Sequence, residues 1–300
     1  MELTKKYDIT FIGHMCYDEI APFEGETAVS PGSAVLCGAM VAGRIGKDVA
    51  VITKMAEEDR DILTPMEDVG IDTVVIPSGE TTYMRVEHPC QDVDVRKMYQ
   101  YKNAGYITCE ELPEFESKFV HLAGITDQEF TLKLIEDLCE KGYSLSADMQ
   151  SFVRQVEPVT REIFFRDVPN KKQIVERLDR VKLDIVEAKL MTGCDDIEQA
   201  AMQIEGWGAY EVVITQAQGV LARVNGQTYY EKFSNKSIVG RTGRGDTTFA
   251  AYMSRRLGAD AAESLKFAAA LVSIKMESPG PFKGTTEDVM DRIRRYHYSG

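Results

Sequence analysis

The chain has 300 residues, 44% of them hydrophobic and 28% charged, with a formal net charge of −13. That length can bury a substantial core in one large α/β domain or two small ones. So acidic a surface repels nucleic acid, while a few local amides could still hold a phosphate.

From the N-terminus, Tyr7 to Gly13 is a short apolar run ending in glycine and reads as a buried strand. The opening MELTKKYDITFIGH carries no apolar leader, and no run of about 18 apolar residues follows, so a soluble cytoplasmic protein with no membrane partner is expected. Pro31-Gly32-Ser33 reads as a turn before a tightly packed helix ending near Gly46. Val49 to Thr53 is a second strand, Met55 to Val69 a helix, and Thr73 to Ile76 a third strand. Between about Thr81 and Tyr106 the pattern changes to β-formers mixed with charges, which predicts half-exposed strands of a small separate sheet, with residues 14–30 and 80–106 as its approximate bounds.

Alternation then returns. Phe119 to Gly124 and Tyr143 to Asp148 read as strands, Glu129 to Lys141 and Asp195 to Trp207 as helices, and Glu211 to Thr215 as a strand. Val220 to Phe233 is a hairpin around Asn225-Gly226. Three helices follow, Asp246 to Leu257, Ala261 to Met276 and Gly284 to Tyr296. Strands alternating with helices predict an α/β fold: a doubly wound, mostly parallel sheet with helices on both faces, here carrying a small β lid within a single domain. Its ligands are expected at the carboxyl ends of the strands.

The segment with most chemical content is Gly240-Arg241-Thr242-Gly243-Arg244-Gly245-Asp246, a polar, glycine-rich bend that opens an apolar helix. Such a bend gathers free N–H groups at a helix start, where the partial charge is positive, and so makes an anion hole with Asp246 beside it. An ordinary helix capped by aspartate would look the same locally. The glycine order does not match G-x-G-x-x-G, and Gly46-Lys47 is followed by Asp48 and lacks the upstream glycine of a Walker A loop. Cys16, Cys37, Cys90, Cys109, Cys139 and Cys194 form no C-x-x-C pair, and His14, His88, His121 and His297 no ligand spacing, which argues against a zinc site.

This segment resembles the second signature, D-T-x-G-A-G-D, of the ribokinase-like (PfkB) carbohydrate kinases. The resemblance implies Asp246 as the base that activates a substrate hydroxyl, with the amides of Gly243, Arg244 and Gly245 as the anion hole. Gly240 stands where the family has aspartate, at a monovalent-cation contact, and Arg244 where it has alanine. Asp18, a few residues after Gly13, maps onto the substrate-binding aspartate. Gly32 and Ser33 resemble part of the first signature, although Pro31 replaces its first glycine and Leu36 its substrate-binding asparagine. Asp184 and Glu187 resemble the N-x-x-E segment that orders the shell of Mg²⁺. Thr215, Gly219, Thr242 and Ser273 fall on the nucleotide side. Asp148-Met149-Gln150-Ser151-Phe152-Val153-Arg154 resembles a stretch of the inositol- and nucleoside-kinase branch, with Arg154 on the substrate.

The function so implied is transfer of phosphate from ATP, with Mg²⁺, to a hydroxyl of a small sugar, inositol-like polyol or nucleoside, and the lid sheet would pair across a homodimer. A non-catalytic polyol- or nucleotide-binding protein on the same fold is the alternative, and hydride transfer a more distant one.

Overall fold

The computed structural model describes Leu3, residues 5–91 and residues 95–296. In chain order the elements are β1 (Lys6–His14), β2 (Cys16–Ala21), β3 (Ala28–Gly32), α1 (Ala34–Arg44), β4 (Val49–Met55), a 3₁₀ turn (Glu57–Leu63), α2 (Thr64–Glu67), β5 (Asp72–Pro77), β6 (Thr82–Glu87), β7 (Lys97–Lys102), β8 (Glu116–Leu122), α3 (Leu132–Glu140), β9 (Leu145–Asp148), α4 (Gln150–Val153), β10 (Arg154–Val156), β11 (Ile163–Phe165), α5 (Lys171–Glu176), β12 (Arg180–Asp184), α6 (Ile185–Thr192), α7 (Ile197–Glu205), β13 (Glu211–Thr215), β14 (Gly219–Val224), β15 (Gln227–Lys232), α8 (Arg244–Arg256), α9 (Ala261–Met276) and α10 (Thr286–Tyr296).

Nine strands form one sheet in the order β15-β14-β13-β12-β9-β8-β1-β4-β5. All neighbours are parallel except the β13–β14 and β14–β15 pairs. Side chains alternate across it, as strand geometry requires. Ile12, Ile52, Val212 and Ile214 enter one core with residues of α3, α5 and α7, whereas Phe11, Val51 and Val213 enter the opposite core with residues of α1, α8 and α9. The chain leaves β1 for β4 on one side and reaches β8 on the other, which opens a crevice at the carboxyl end of β1, the usual ligand position in such sheets.

The small sheet has the order β3-β2-β6-β7. It packs through a minor cluster of Cys16, Met84 and Met98 against Ile125, Val156 and Ile163. Residues 92–94 of the expected lid segment lie outside the described residues, as does His297.

Two expectations are corrected. The Met55 to Val69 segment is a 3₁₀ turn followed by the four-residue α2, because Pro65 lacks an N–H and its ring clashes with the preceding turn. Pro31 and Gly32 are not a free turn but the end of β3, paired with Tyr17 and Cys16; β3 is an edge strand, the position in a sheet that tolerates proline. The β10–β11 hairpin was not anticipated, since three-residue strands are too short for a periodic signal.

Candidate active site

Asp246 lies in the first turn of α8, after Gly243 in the left-handed conformation (φ 75°) as N-cap. Its carboxylate is half-buried, and no described residue forms a hydrogen bond or ion pair with it. The N–H groups of Gly243 and Gly245 also find no backbone acceptor among the described residues. One part of the expected anion hole needs correcting: the Arg244 N–H donates to the Arg241 carbonyl at 3.0 Å, because the bend closes with its own turn hydrogen bond. Beneath the bend, a Cβ on Gly245 would come within 2.7 Å of Lys182 Nζ, so a side chain there would have to displace that ammonium.

Asp18, on β2, faces this bend. A Cβ on Gly32 would lie 1.9 Å from Asp18 Oδ2, so the absence of a side chain there makes room for the carboxylate. Burial pushes the Asp18 carboxyl up to about 6; the hydrogen bond from the Cys16 thiol (3.4 Å) opposes the shift and the nearby Asp246 charge adds to it. Raised above the ordinary range, this group stabilises the fold at low pH, and that contribution is lost as pH rises through about 6. If the Asp18 carboxylate accepts hydrogen bonds from acceptor hydroxyls, kcat/KM for the acceptor will fall as pH drops through about 6, and the inflection will vanish in Asp18→Asn. An unchanged inflection in that variant would assign the titration elsewhere.

Ser33 caps α1, accepting the Leu36 N–H at 3.0 Å, and its hydroxyl donates to Met15 Sδ at 3.3 Å. Its backbone is strained (φ 144°) at the junction of β3 and α1. Cys37 of α1 touches the same bend, 2.4 Å from a Cβ placed on Gly243; burial, with Asp246 nearby, pushes its thiol up to about 12 and keeps it unreactive at neutral pH.

On the other flank, the Lys182 ammonium and the Asp148 carboxylate form a buried ion pair at 2.7 Å. Burial works against the lysine charge, but Asp148, Glu187, Asp246 and Asp184 together hold it above the ordinary range. Asp184 caps α6 by accepting the Val186 and Glu187 N–H groups at 2.8 and 2.9 Å, and Glu187 accepts the Asp184 N–H at 2.8 Å. Arg154 stands beside Glu187 (3.4 Å) and over the Phe165 ring (5.7 Å), with its Nε buried and unpaired. The expected substrate-binding Arg154 thus stands on the Glu187 side of the site.

No group of three His, Cys, Asp or Glu side chains among the described residues could ligate a metal directly. Asp184 and Glu187, each engaged in capping and faced by cations, fit Mg²⁺ only through its water shell.

Of the nucleotide-side residues, Thr215 is buried and lies 3.8 Å from a Cβ on Gly245. Thr242 is exposed. Gly219 packs against the β15 backbone, where a Cβ would come within 2.4 Å of the Glu231 carbonyl oxygen. The Ser273 hydroxyl donates to the Ala269 carbonyl (2.6 Å) and accepts the Ser234 N–H (2.8 Å), so it is engaged inside the fold.

The sequence reading missed four contributors: Lys182, Lys275, Arg96 and Glu129. Glu129 is buried and accepts N–H groups of His14, Ile125 and Thr126, tying the end of β1 to the loop after β8. A lysine within a strand and one within a helix carry no spacing signal that marks them.

The model of the pfkB family carbohydrate kinases matches residues 6–287. The chain belongs to this family. It is a kinase of the carbohydrate and polyol class on the ribokinase-like fold. Among solved structures, a pyrophosphate-dependent kinase of the ribokinase family, complexed with a pyrophosphate analog and myo-inositol, is 31% identical with a TM-score of 0.86, covering 94% of this chain and 99% of that one. The cytidine kinase of Thermococcus kodakarensis is 29% identical over 246 residues, 80% of this chain and 84% of the relative. Arabidopsis thaliana ribokinase, solved with ribose and ATP, has a TM-score of 0.75 at 15% identity over 97% of this chain and 99% of that one, a likeness of fold. No described helix of this family member is long and apolar enough to cross a membrane.

Proposed function

We propose that this kinase phosphorylates a hydroxyl of a small polyol of the inositol class, with Asp246 as general base, Asp18 holding the acceptor and the open amides of the 243–245 bend receiving the transferred phosphoryl group. The observation that carries this reading is the pairing of an unencumbered Asp246 with a half-buried Asp18 that lies within reach of its charge and against Gly32. A carboxylate with no partner of its own can accept a proton, and one raised by burial can bind vicinal hydroxyls.

In the reaction the acceptor oxygen bonds to the terminal phosphorus of the donor, its proton passes to Asp246, and the bond from that phosphorus to the bridging oxygen breaks as the leaving phosphate departs. Lys182 and the amides of Gly243 and Gly245 stabilise the negative charge. Mg²⁺, held through water by Asp184 and Glu187, would neutralise part of the donor's phosphate charge. The small sheet covers the acceptor and excludes water, which limits donor hydrolysis. A nucleoside acceptor is the alternative suggested by the cytidine kinase relative.

ATP is the donor that family membership supports. A second donor, inorganic pyrophosphate, is favoured by a specific observation. Arg96, Arg154 and Arg241 are gathered near Asp184 and Glu187; although solvent-accessible, the Arg96 guanidinium is pushed down to about 10, by desolvation first and then by the other two arginines. Three guanidiniums suit two adjoining phosphates without a nucleoside to add contacts, and Ser273 is already taken up by Ser234. The pyrophosphate-dependent neighbour agrees with this reading.

The test is a panel of ATP and pyrophosphate against myo-inositol, ribose and cytidine, read as phosphorylated acceptor by ³¹P NMR. We expect transfer to myo-inositol above the others, with Arg96→Ala raising KM for pyrophosphate more than for ATP. Phosphorylation of none of the three would reject the assignment.

A further inference from the structure

Lys275, in the last turn of α9, is 2% exposed and carries its ammonium under the glycine-rich bend. There it donates to the main-chain carbonyls of both Gly240 and Thr242. The bend comes so close to α9 that a Cβ on Gly240 would sit 1.9 Å from the Ser278 carbonyl oxygen and 2.7 Å from that of Lys275 itself. The Gly240 N–H is also bonded to the Met276 carbonyl at 2.9 Å. No side chain could therefore enter from the bend to meet these carbonyls, and the charge facing them comes from the helix.

Peptide planarity gives this contact a consequence at the site. In a trans peptide the C=O and the following N–H point in opposite directions. Holding the Thr242 carbonyl towards Lys275 turns the Gly243 N–H away from α9, and holding the Gly240 carbonyl does the same for the Arg241 N–H, which bonds to the Ile238 carbonyl at 3.1 Å. A positive charge beneath the bend also lies within electrostatic reach of Asp246.

We propose that Lys275 is a positioning residue, a cation built into the chain that orients the 240–243 peptides so that the Gly243 amide faces the transferring phosphoryl group, and that turnover consequently needs no separate monovalent cation at this bend. This rests on the kinase reading above.

The experiment compares the wild-type chain with Lys275→Met and Lys275→Ala, using whichever donor and acceptor the panel identifies, in buffers whose only monovalent cation is tetramethylammonium, potassium or ammonium. Wild-type kcat should be the same in all three. Lys275→Met should lose about 10²-fold in kcat, the effect of losing one anion-hole donor, with KM for the acceptor nearly unchanged. Lys275→Ala should recover at least tenfold in ammonium but not in tetramethylammonium, which is too large for the vacated space; a general structural defect would not respond in this way. Wild-type turnover that requires potassium or ammonium overturns the proposal even if neither variant folds, as does full activity of Lys275→Met or loss in Lys275→Ala that ammonium leaves untouched. Should the wild-type chain phosphorylate nothing, calorimetric binding of pyrophosphate takes the place of kcat, and equal affinity of wild type and Lys275→Met then overturns it independently of the kinase reading.

Discussion

Asp246→Asn is expected to lower kcat by about 10²- to 10⁴-fold, the contribution of a positioned general base. The side chain keeps its shape and its place in the first turn of α8 but cannot take up a proton. Because no described residue bonds the Asp246 carboxylate, the substitution breaks no structural contact, and the melting temperature should stay close to that of the wild type. Steady-state kinetics with calorimetry separates the two effects. A variant that turns over at the wild-type rate would remove Asp246 from the chemistry and leave a binding protein as the better reading.

The second large effect concerns the buried pair of Lys182 and Asp148. Both side chains are almost completely removed from solvent and meet at 2.7 Å. Lys182→Met keeps much of the stem's volume but leaves a buried carboxylate without its cation, which costs about 3–5 kcal/mol at neutral pH. Urea denaturation should show a lower midpoint. Removing both partners, as Lys182→Met with Asp148→Leu, should recover part of that loss, since no uncompensated charge then remains. The double variant should still be poorly active, because Lys182 is also the cation next to Gly245 and Asp246. A single variant as stable as wild type would mean that Asp148 is protonated in the native state and the pair is not ionic.

Much of the architecture was legible in local pattern. Ala261–Met276 was delimited to the residue, because Asp260 caps it and an apolar surface runs around it. The hairpin about Asn225-Gly226 followed from turn chemistry, with Asn225 and Gly226 both at positive φ. The place of Asp246 in the first turn of α8 was legible because glycines free the backbone for the left-handed turn, at Gly243, that opens the helix. The 3₁₀ turn at Glu57–Leu63 and the edge strand ending at Pro31-Gly32 were not, since each depends on a competing local rule or on a partner strand.

The site divides along the same line. What the sequence alone determined is what short-range chemistry determines: alternating strands and helices, a glycine-rich bend, and an aspartate at the start of a helix, because backbone freedom and side-chain period are properties of neighbouring residues. What only the tertiary structure decided is which distant charges meet there: Lys182 from a central strand, Lys275 from the end of α9, Arg96 from the small sheet's loop and Asp18 against Gly32. Burial and electrostatic reach act through space, and residues more than 200 positions apart, such as Asp18 and Asp246, acquire their relation only when the sheet is assembled.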